Sequence, residues 1–353
     1  MQQARHCKGH GAPKTASIVA ALAAALGEQN TLCSRKLRQW PSSLLEDAVG
    51  LRLAAGLHYL HLTSTEPRLG ELYEGRVKKQ EEINRVVADV ISDHDENLLS
   101  WFDTTPQTNE VGRSASFLLG LAWAHANAEA DNLNFEILEI GSSGGLNLLM
   151  PHYRYTFSAE DGNGSWDWGE KESRVHIKPV LRGPLPPRPA PFRIASAKGC
   201  DLHPVNLSNT DEALRLQAFV WVDMEWRLKT LKEATRIACE HPPSVVREDA
   251  GAWVKASLDQ PQEQGICRVL VHSIVWQYLD AGTRHTISEA IAAAAKRATP
   301  DRPLAWLSLE TNRKTLSHEL SVRLWPGDSS SAAKTGHIAE AHAHGAWIKP
   351  LVS

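Results

Sequence analysis

The spacing of apolar residues changes once along this chain, at Asn134, and that change limits the fold more than any other feature. Upstream, apolar residues recur every three or four positions. Residues 42–63 (SSLLEDAVGLRLAAGLHYLHLT) and 78–102 (KKQEEINRVVADVISDHDENLLSWF) predict amphipathic helices. A third helix is expected to start at Thr105-Pro106, with threonine as cap and proline in the first turn, and to run to about Ala128. No alternating strand pattern precedes Asn134. Downstream, short β-branched or apolar runs alternate with helical stretches: FEILEI, FRIASA, PSVV, CRVLVHSIV, PLAWLSL, ELSVRLW and GAWIKPLV. Such alternation predicts an α/β fold with a doubly wound, mostly parallel sheet, its last two runs forming an antiparallel pair at the edge. The expected domains are a helical one over residues 1–130, packed on the open face of the sheet, and an α/β one over 131–353.

One segment breaks the alternation. Residues 153–190 are rich in Gly, Pro, Trp and Tyr, and hold two alternating runs, YRYTF and RVHIKPV, expected to pair as a hairpin. They are read as an insertion on the binding face, a candidate lid.

Charge and cysteine usage narrow the function classes. A net charge of −3 over 353 residues argues against binding nucleic acid by phosphate neutralisation. The five cysteines are scattered and never in C-x-x-C spacing, which suits a reducing cytoplasm and gives no thiolate zinc site. The segment KTASIVAALAAALG has the look of a signal-peptide core, but its short alanine-rich run equally describes a helix with one packed face, the reading adopted here. No apolar run reaches the length of a membrane span.

The chemistry centres on FEILEIGSSGGLNLL, residues 135–149, where an apolar run ends in an acid and a turn of glycines and serines opens onto a new apolar run. Such a strand–turn–helix either cradles a cofactor or holds up a nucleophile. The nucleotide P-loop and the G-x-G-x-x-G fingerprint are both missing. A serine-hydrolase elbow would use Ser143, with Glu310 and His342 or His344 completing a triad, yet no strands and no glycine-rich oxyanion segment precede it. A cofactor with a ribose wants a carboxylate at the end of the next strand, and Asp201 stands there. Asp249 follows the third run, and His272 and Ser273 end the fourth. Glu139, Asp201, Asp249 and His272 are therefore expected on one rim, at the carboxyl ends of the strands.

EIGSSGG, KGCDLHPV, REDA and VLVHSIVWQYL resemble the ordered motifs of the class I S-adenosylmethionine-dependent methyltransferases. The resemblance covers about the last 220 residues outside the insertion, and implies a Rossmann-like sheet with S-adenosylmethionine as cofactor. In that family the acid–glycine loop binds the methionyl part, which implicates Glu139, Gly141, Ser142, Ser143, Gly144 and Gly145. The acid after strand two binds ribose, here Asp201 beside Leu202. An aspartate–alanine pair after strand three binds adenine, here Asp249 and Ala250. His272 and Ser273 close the cofactor set. Ser143 stands where the family has its middle glycine, which narrows the turn. The whole chain also resembles the bacterial domain of unknown function 2332 family, through PQTNEVGRSA, LEIGSSGGLNLL, GCDLHP and HSIVWQYL.

The expected function is methyl transfer to a small molecule, with a serine hydrolase or a non-catalytic cofactor-binding module as alternatives. His272 is the expected general base and Glu110 the second candidate. Gln107, Asn109 and Arg113, on a polar helix start, and Trp276 and Gln277 are the expected substrate contacts. Plainer roles stand beside these: Asp201 and Asp249 as helix N-caps, and Glu110 and Arg113 as a surface pair. His337, His342 and His344 lack an acid or cysteine in matching spacing, so no metal is expected.

Overall fold

A computed structural model describes residues 1–130, 133–315, 317–327 and 332–351. Residue 131, where the α/β domain is expected to begin, and Val352, within the last apolar run, lie outside them. The chain divides into two compact units. One comprises Met1–Thr108 and Leu207–Lys232, the other Asn109–Asn206 and Glu233–Ser353. The helical unit thus takes back a stretch that the sequence assigns to the α/β domain.

The helical unit contains α1 (Gln2–Gly9), α2 (Pro13–Glu28), α3 (Leu32–Arg38), α4 (Val49–Leu62), α5 (Arg68–Tyr73), α6 (Gln80–Asp93) and α7 (Asp95–Leu99). The alanine-rich segment near the start is α2, which buries Ile18, Val19, Leu22 and Leu26 and packs on α4 and α6. Carboxylates from distant parts of the chain satisfy helix-start amides. Asp223 accepts from Lys14 N (2.9 Å), Thr15 N (2.8 Å) and Thr15 Oγ1 (2.7 Å), and Asp95 accepts from Leu32 N and Cys33 N at the start of α3. The helix expected over 42–63 starts only at Val49, because Ala48 is left-handed (φ 53°). That expected over 78–102 divides at His94 and ends in a 3-10 turn, Ser100–Asp103.

The other unit opens with α8 (Ser114–Asn127) and β1 (Asn134–Ile140). The helix expected from Thr105 starts nine residues later, at Ser114. Asn109 has φ 31°, which breaks a helix, and Glu110 caps a 3-10 turn at Val111–Arg113. The insertion holds β2 (Arg154–Ser158), β3 (Ser165–Gly169), β4 (His176–Ile177) and β5 (Val180–Leu181). Its hairpin joins β2 to β3, not YRYTF to RVHIKPV: the glycine turn after β2 leads straight back, and RVHIKPV supplies β4, parallel to β2, and then β5. Next come β6 (Ile194–Asp201), α9 (Thr210–Ala218), α10 (Glu225–Glu240), β7 (Ser244–Arg247), α11 (Ala250–Leu258) and β8 (Ile266–Ser273). Of these, α9 and the first half of α10 fall in the helical unit. The chain closes with α12 (Ala281–Ala295), β9 (Leu304–Thr311), β10 (His318–Trp325), β11 (Lys334–Ala341) and β12 (Trp347–Pro350).

Nine strands form one sheet in the order β5-β12-β11-β10-β9-β8-β1-β6-β7. The run β9-β8-β1-β6-β7 is parallel throughout, and its direction of winding reverses between β1 and β8. The edge differs from expectation: β11 (KTGHIAEA) lies between β10 and β12 and is antiparallel to both. Glycine and charge disguise it as a loop in the sequence.

One sheet face buries Leu138, Ile140 and Leu270 under α11 and α12, against Val254, Leu258, Ile287 and Ile291. On the other face α8 lies across β9, β10 and β11, where Gly120 lets the helix approach Leu307: a Cβ there would stand 2.6 Å from Cδ2. The insertion shares this second face. Tyr153 donates to Leu146 O (2.7 Å) and Tyr155 to Ser114 Oγ (2.9 Å), while Trp168 packs on Phe192 and Phe192 on Phe135. Tyr153, Tyr155 and Phe157 are fully buried. Through these side chains the insertion contributes to the core of this face.

Candidate functional site

The carboxyl ends of the parallel strands carry the glycine turn, Asp201, Asp249, His272 and Ser273. The turn at 141–145 leaves β1 through Gly141 (φ 68°) and Ser143 (φ 54°), and enters a 3-10 helix, Leu146–His152, at Gly145 (φ 74°). Both glycines are required by space as well as by φ. A Cβ on Gly141 would lie 2.4 Å from Val275 Cγ2, and one on Gly145 would lie 2.7 Å from Pro243 and Val245. Three non-glycine residues with left-handed backbone, Asn109, Ser143 and Ile274, belong to this rim and the segment beside it. Such a conformation is costly for a β-branched isoleucine.

The turn is held by its own chain. Asn109 donates Nδ2 to Ser142 O (3.0 Å), and its Oδ1 accepts from Gly144 N (3.2 Å) and Leu146 N (3.3 Å). Asp201 takes Ser143 N on Oδ2 and His203 N on Oδ1, both at 2.8 Å. Ser142 N donates to Cys200 O and Gly145 N to Ser142 O. Ser142 Oγ turns back to Glu139 O (2.8 Å), where it occupies the room left by the missing side chain of Gly199.

Glu139 lies beneath this turn, not on the rim. It is buried on the α8 face, where Oε1 accepts from Asn147 Nδ2 (2.9 Å) and Oε2 has no hydrogen-bond partner. Phe117, Leu121, Ile137, Leu148 and Val271 surround it in a cavity of about 10 Å³, room for one water. Burial pushes its pKa up to about 8, against the lowering effect of the Asn147 hydrogen bond.

Asp249 caps α11, with Oδ1 accepting from Gly251 N (2.9 Å) and Ala252 N (3.1 Å). Ala250 enters the core under α11. Leu202 is 59% exposed. Ser273 and Arg113 form a buried staple: Arg113 Nη1 donates to Ser273 O and Oγ (both 3.3 Å), and Nε to Ala343 O (2.8 Å). Glu110 Oε2 lies 3.4 Å from His344 Nδ1, and Gly112 packs on the backbone of His344 and Gly345. Glu110, Arg113 and Asn109 are therefore buried ties, not a surface pair. Gln107 belongs to the helical unit and Gln277 is half-buried in the 3-10 turn Trp276–Tyr278.

The most developed chemical grouping is His272 with Glu310, a pairing that the sequence reading missed. His272 Nδ1 lies 2.6 Å from Glu310 Oε1, which also accepts from Val275 N (3.1 Å) and Trp276 N (3.2 Å). Burial raises the pKa of Glu310, but the bond and charge of His272 and the two amides outweigh it and leave the carboxyl below its ordinary value. An ionised acceptor requires a proton on the Nδ1 that faces it. Nε2 is buried and without a hydrogen-bond partner. Trp276 stacks on the ring (5.1 Å, 20°), and Trp306 lies 5.9 Å away. Strand register carries a signal for the pair: His272 is level with Ser308, so Glu310, two residues on, shares its face.

The same pairing bears on the triad reading of Ser143. Glu310 bonds His272 rather than His342 or His344, and Nε2 of His272 accepts no hydroxyl. His337 pairs with Glu319 (3.7 Å), and among the described residues no three metal-ligating side chains converge. Among the same residues no helix is long and apolar enough to cross a membrane.

Fold and rim define the class: a mixed α/β protein whose strand ends gather a glycine turn, two carboxylates and a histidine–glutamate dyad. The chain belongs to a bacterial family described as "Uncharacterized protein conserved in bacteria (DUF2332)", whose model matches residues 1–349. No curated protein and no solved structure matches it.

Proposed function

We propose that this protein binds S-adenosylmethionine at the carboxyl rim of the parallel strands and transfers its methyl group to a small-molecule acceptor. The observation that carries the reading is the strand order. The five parallel strands run, by place in the chain, third, second, first, fourth and fifth across the sheet, and reverse beside the glycine turn. Ligands of open α/β sheets bind at such a reversal, outside the carboxyl ends.

The residues there fit an adenosyl group. Asp201 is half-buried, and each of its oxygens keeps a second lone pair for a ribose hydroxyl. Leu202 and Val246 offer exposed apolar surface for a flat ring, and Asp249 has an oxygen outside its capping bonds. The methionyl end would be met by carbonyls and side chains, because Asp201, Asn109 and the chain's own carbonyls already engage the turn amides from Ser142 to Leu146. The bound cofactor supplies an electrophilic methyl; the chain's part is alignment, exclusion of water and removal of a proton. His272, held by Glu310, is the candidate base, with Glu110 second.

Calorimetry with S-adenosylhomocysteine on wild type and Asp201→Ala tests the reading. Wild type gives saturable heat and the variant binds at least about tenfold more weakly, the equivalent of one charge-assisted hydrogen bond. Folded wild type with no heat at high micromolar ligand would remove the proposal's main support. The burial of His272, 1% exposed, favours a second reading, a binding module without turnover. Saturable binding with no methyl transfer across acceptor panels would select it.

A further inference from the structure

We propose that the insertion carries a separate binding site, a groove for a small organic phosphate with a flat ring. The groove, about 780 Å³, runs between the β2–β3 hairpin and the segment that returns to β6. That volume is within the range of small-ligand sites. Its lining includes Arg154, Asp167, Trp168, Lys171, Arg188 and Phe192, none of which belongs to the rim set. The site therefore stands or falls independently of the methyl-transfer reading.

Charge selects the ligand's first feature. Three cations face one carboxylate, and that carboxylate is engaged: Asp167 takes Arg154 Nη2 on Oδ2 and Thr156 Oγ1 on Oδ1, both at 2.6 Å. Among the described residues Lys171 and Arg188 have neither an ion-pair nor a hydrogen-bond partner, and Arg154 Nε is buried with no hydrogen-bond partner. Two unneutralised charges beside a fixed guanidinium suit a dianion. Pro189 and Pro191 have no backbone N–H, so that wall adds no donor at those positions and the cations dominate anion recognition.

The aromatic wall selects the second feature. Trp168 is edge-on to Tyr155 (5.7 Å, 60°) and tilted on Phe192 (5.6 Å, 37°), both buried. The indole is held before any ligand arrives, so stacking on it costs little ordering entropy. An anion alone gains nothing from Trp168, and a flat neutral ring gains nothing from Lys171 and Arg188.

The test is calorimetry on the full chain with 1-naphthyl phosphate, inorganic phosphate and 1-naphthol. Wild type is expected to bind 1-naphthyl phosphate about tenfold or more tightly than either half. Lys171→Glu with Arg188→Glu weakens it at least about tenfold, the milder Lys171→Ala with Arg188→Ala weakens it in the same direction, and Trp168→Ala lowers it to the level of inorganic phosphate. Asp201→Ala leaves it unchanged, which separates this site from the rim. No saturable heat at millimolar 1-naphthyl phosphate, equal binding of inorganic phosphate, or full binding by both folded charge variants overturns the proposal.

Discussion

His272 donates its Nδ1 proton to Glu310 across 2.6 Å, and the same Glu310 oxygen accepts the amides of Val275 and Trp276. One carboxylate thus holds both the imidazole ring and the start of the loop after β8. Glu310→Ala leaves three donors without their acceptor, and is expected to cost about 2–4 kcal/mol at pH 7 in urea unfolding. The pH dependence has a definite sign. The carboxyl is lowered from 4.5 by the fold, so its contribution is present above that value and is lost as pH falls through the folded pKa. The gap between wild type and variant should therefore narrow in acid. A gap that stays constant down to pH 3 would assign the cost to packing.

Glu139 behaves in the opposite way. Burial raises its carboxyl from 4.5 to about 8, so the folded state holds a proton that the unfolded chain has released. Stability from this group is full below pH 4.5 and falls as pH rises toward 8, by an amount on the order of a few kcal/mol. Glu139→Gln keeps an oxygen for Asn147 and has no charge to bury. It should match wild type near pH 5 and exceed it at pH 9 in urea midpoints. Parallel curves for the two proteins would disprove the buried proton.

The parts of the fold with strong periodicity were legible in the sequence. The first strand begins at Asn134 as the apolar pattern requires, and the runs that became β6, β7, β8, β9, β10 and β12 were all visible. β11 was not, since KTGHIAEA carries glycine and charge on a half-buried strand near the edge. Nor were the helix starts: Ala48 and Asn109 adopt left-handed backbone that local sequence does not announce. For the rim, the alternation of apolar runs was enough to put Asp201, Asp249 and His272 at or just past strand ends. What stayed hidden was partnership. That Asp201 and Asn109 bind the turn, and that Glu310 holds His272, depends on which side chains face each other across the sheet.

Gly141 and Val275 should be energetically coupled. Gly141→Ala meets two costs: a left-handed φ of 68°, about 1–2 kcal/mol for any residue with a Cβ, and a clash with Val275 Cγ2 at 2.4 Å. Val275→Ala removes the clash and leaves the φ cost. In the double variant, stability should recover by at least about 1 kcal/mol relative to additivity, measured as a denaturation cycle. Strict additivity would mean that Val275 moves aside freely and that the turn is not packed against the loop after β8.

Asn109 is the clamp on which the shape of the turn depends, because one amide group meets Ser142 O, Gly144 N and Leu146 N together. Asn109→Ala removes all three bonds, and also places a residue less suited than asparagine at φ 31°. The expected loss is about 2–4 kcal/mol. Hydrogen exchange gives the more specific readout: the amides of Gly144 and Leu146 should lose protection by about a hundredfold or more, while those of β8 change only with global stability. Asn109→Asp keeps the acceptor for both amides and loses only the donor to Ser142 O, so it should retain most of that protection. If Gly144 and Leu146 exchange at the wild-type rate in Asn109→Ala, the turn holds its form without the clamp, and Asn109 returns to being a candidate for contact with a ligand.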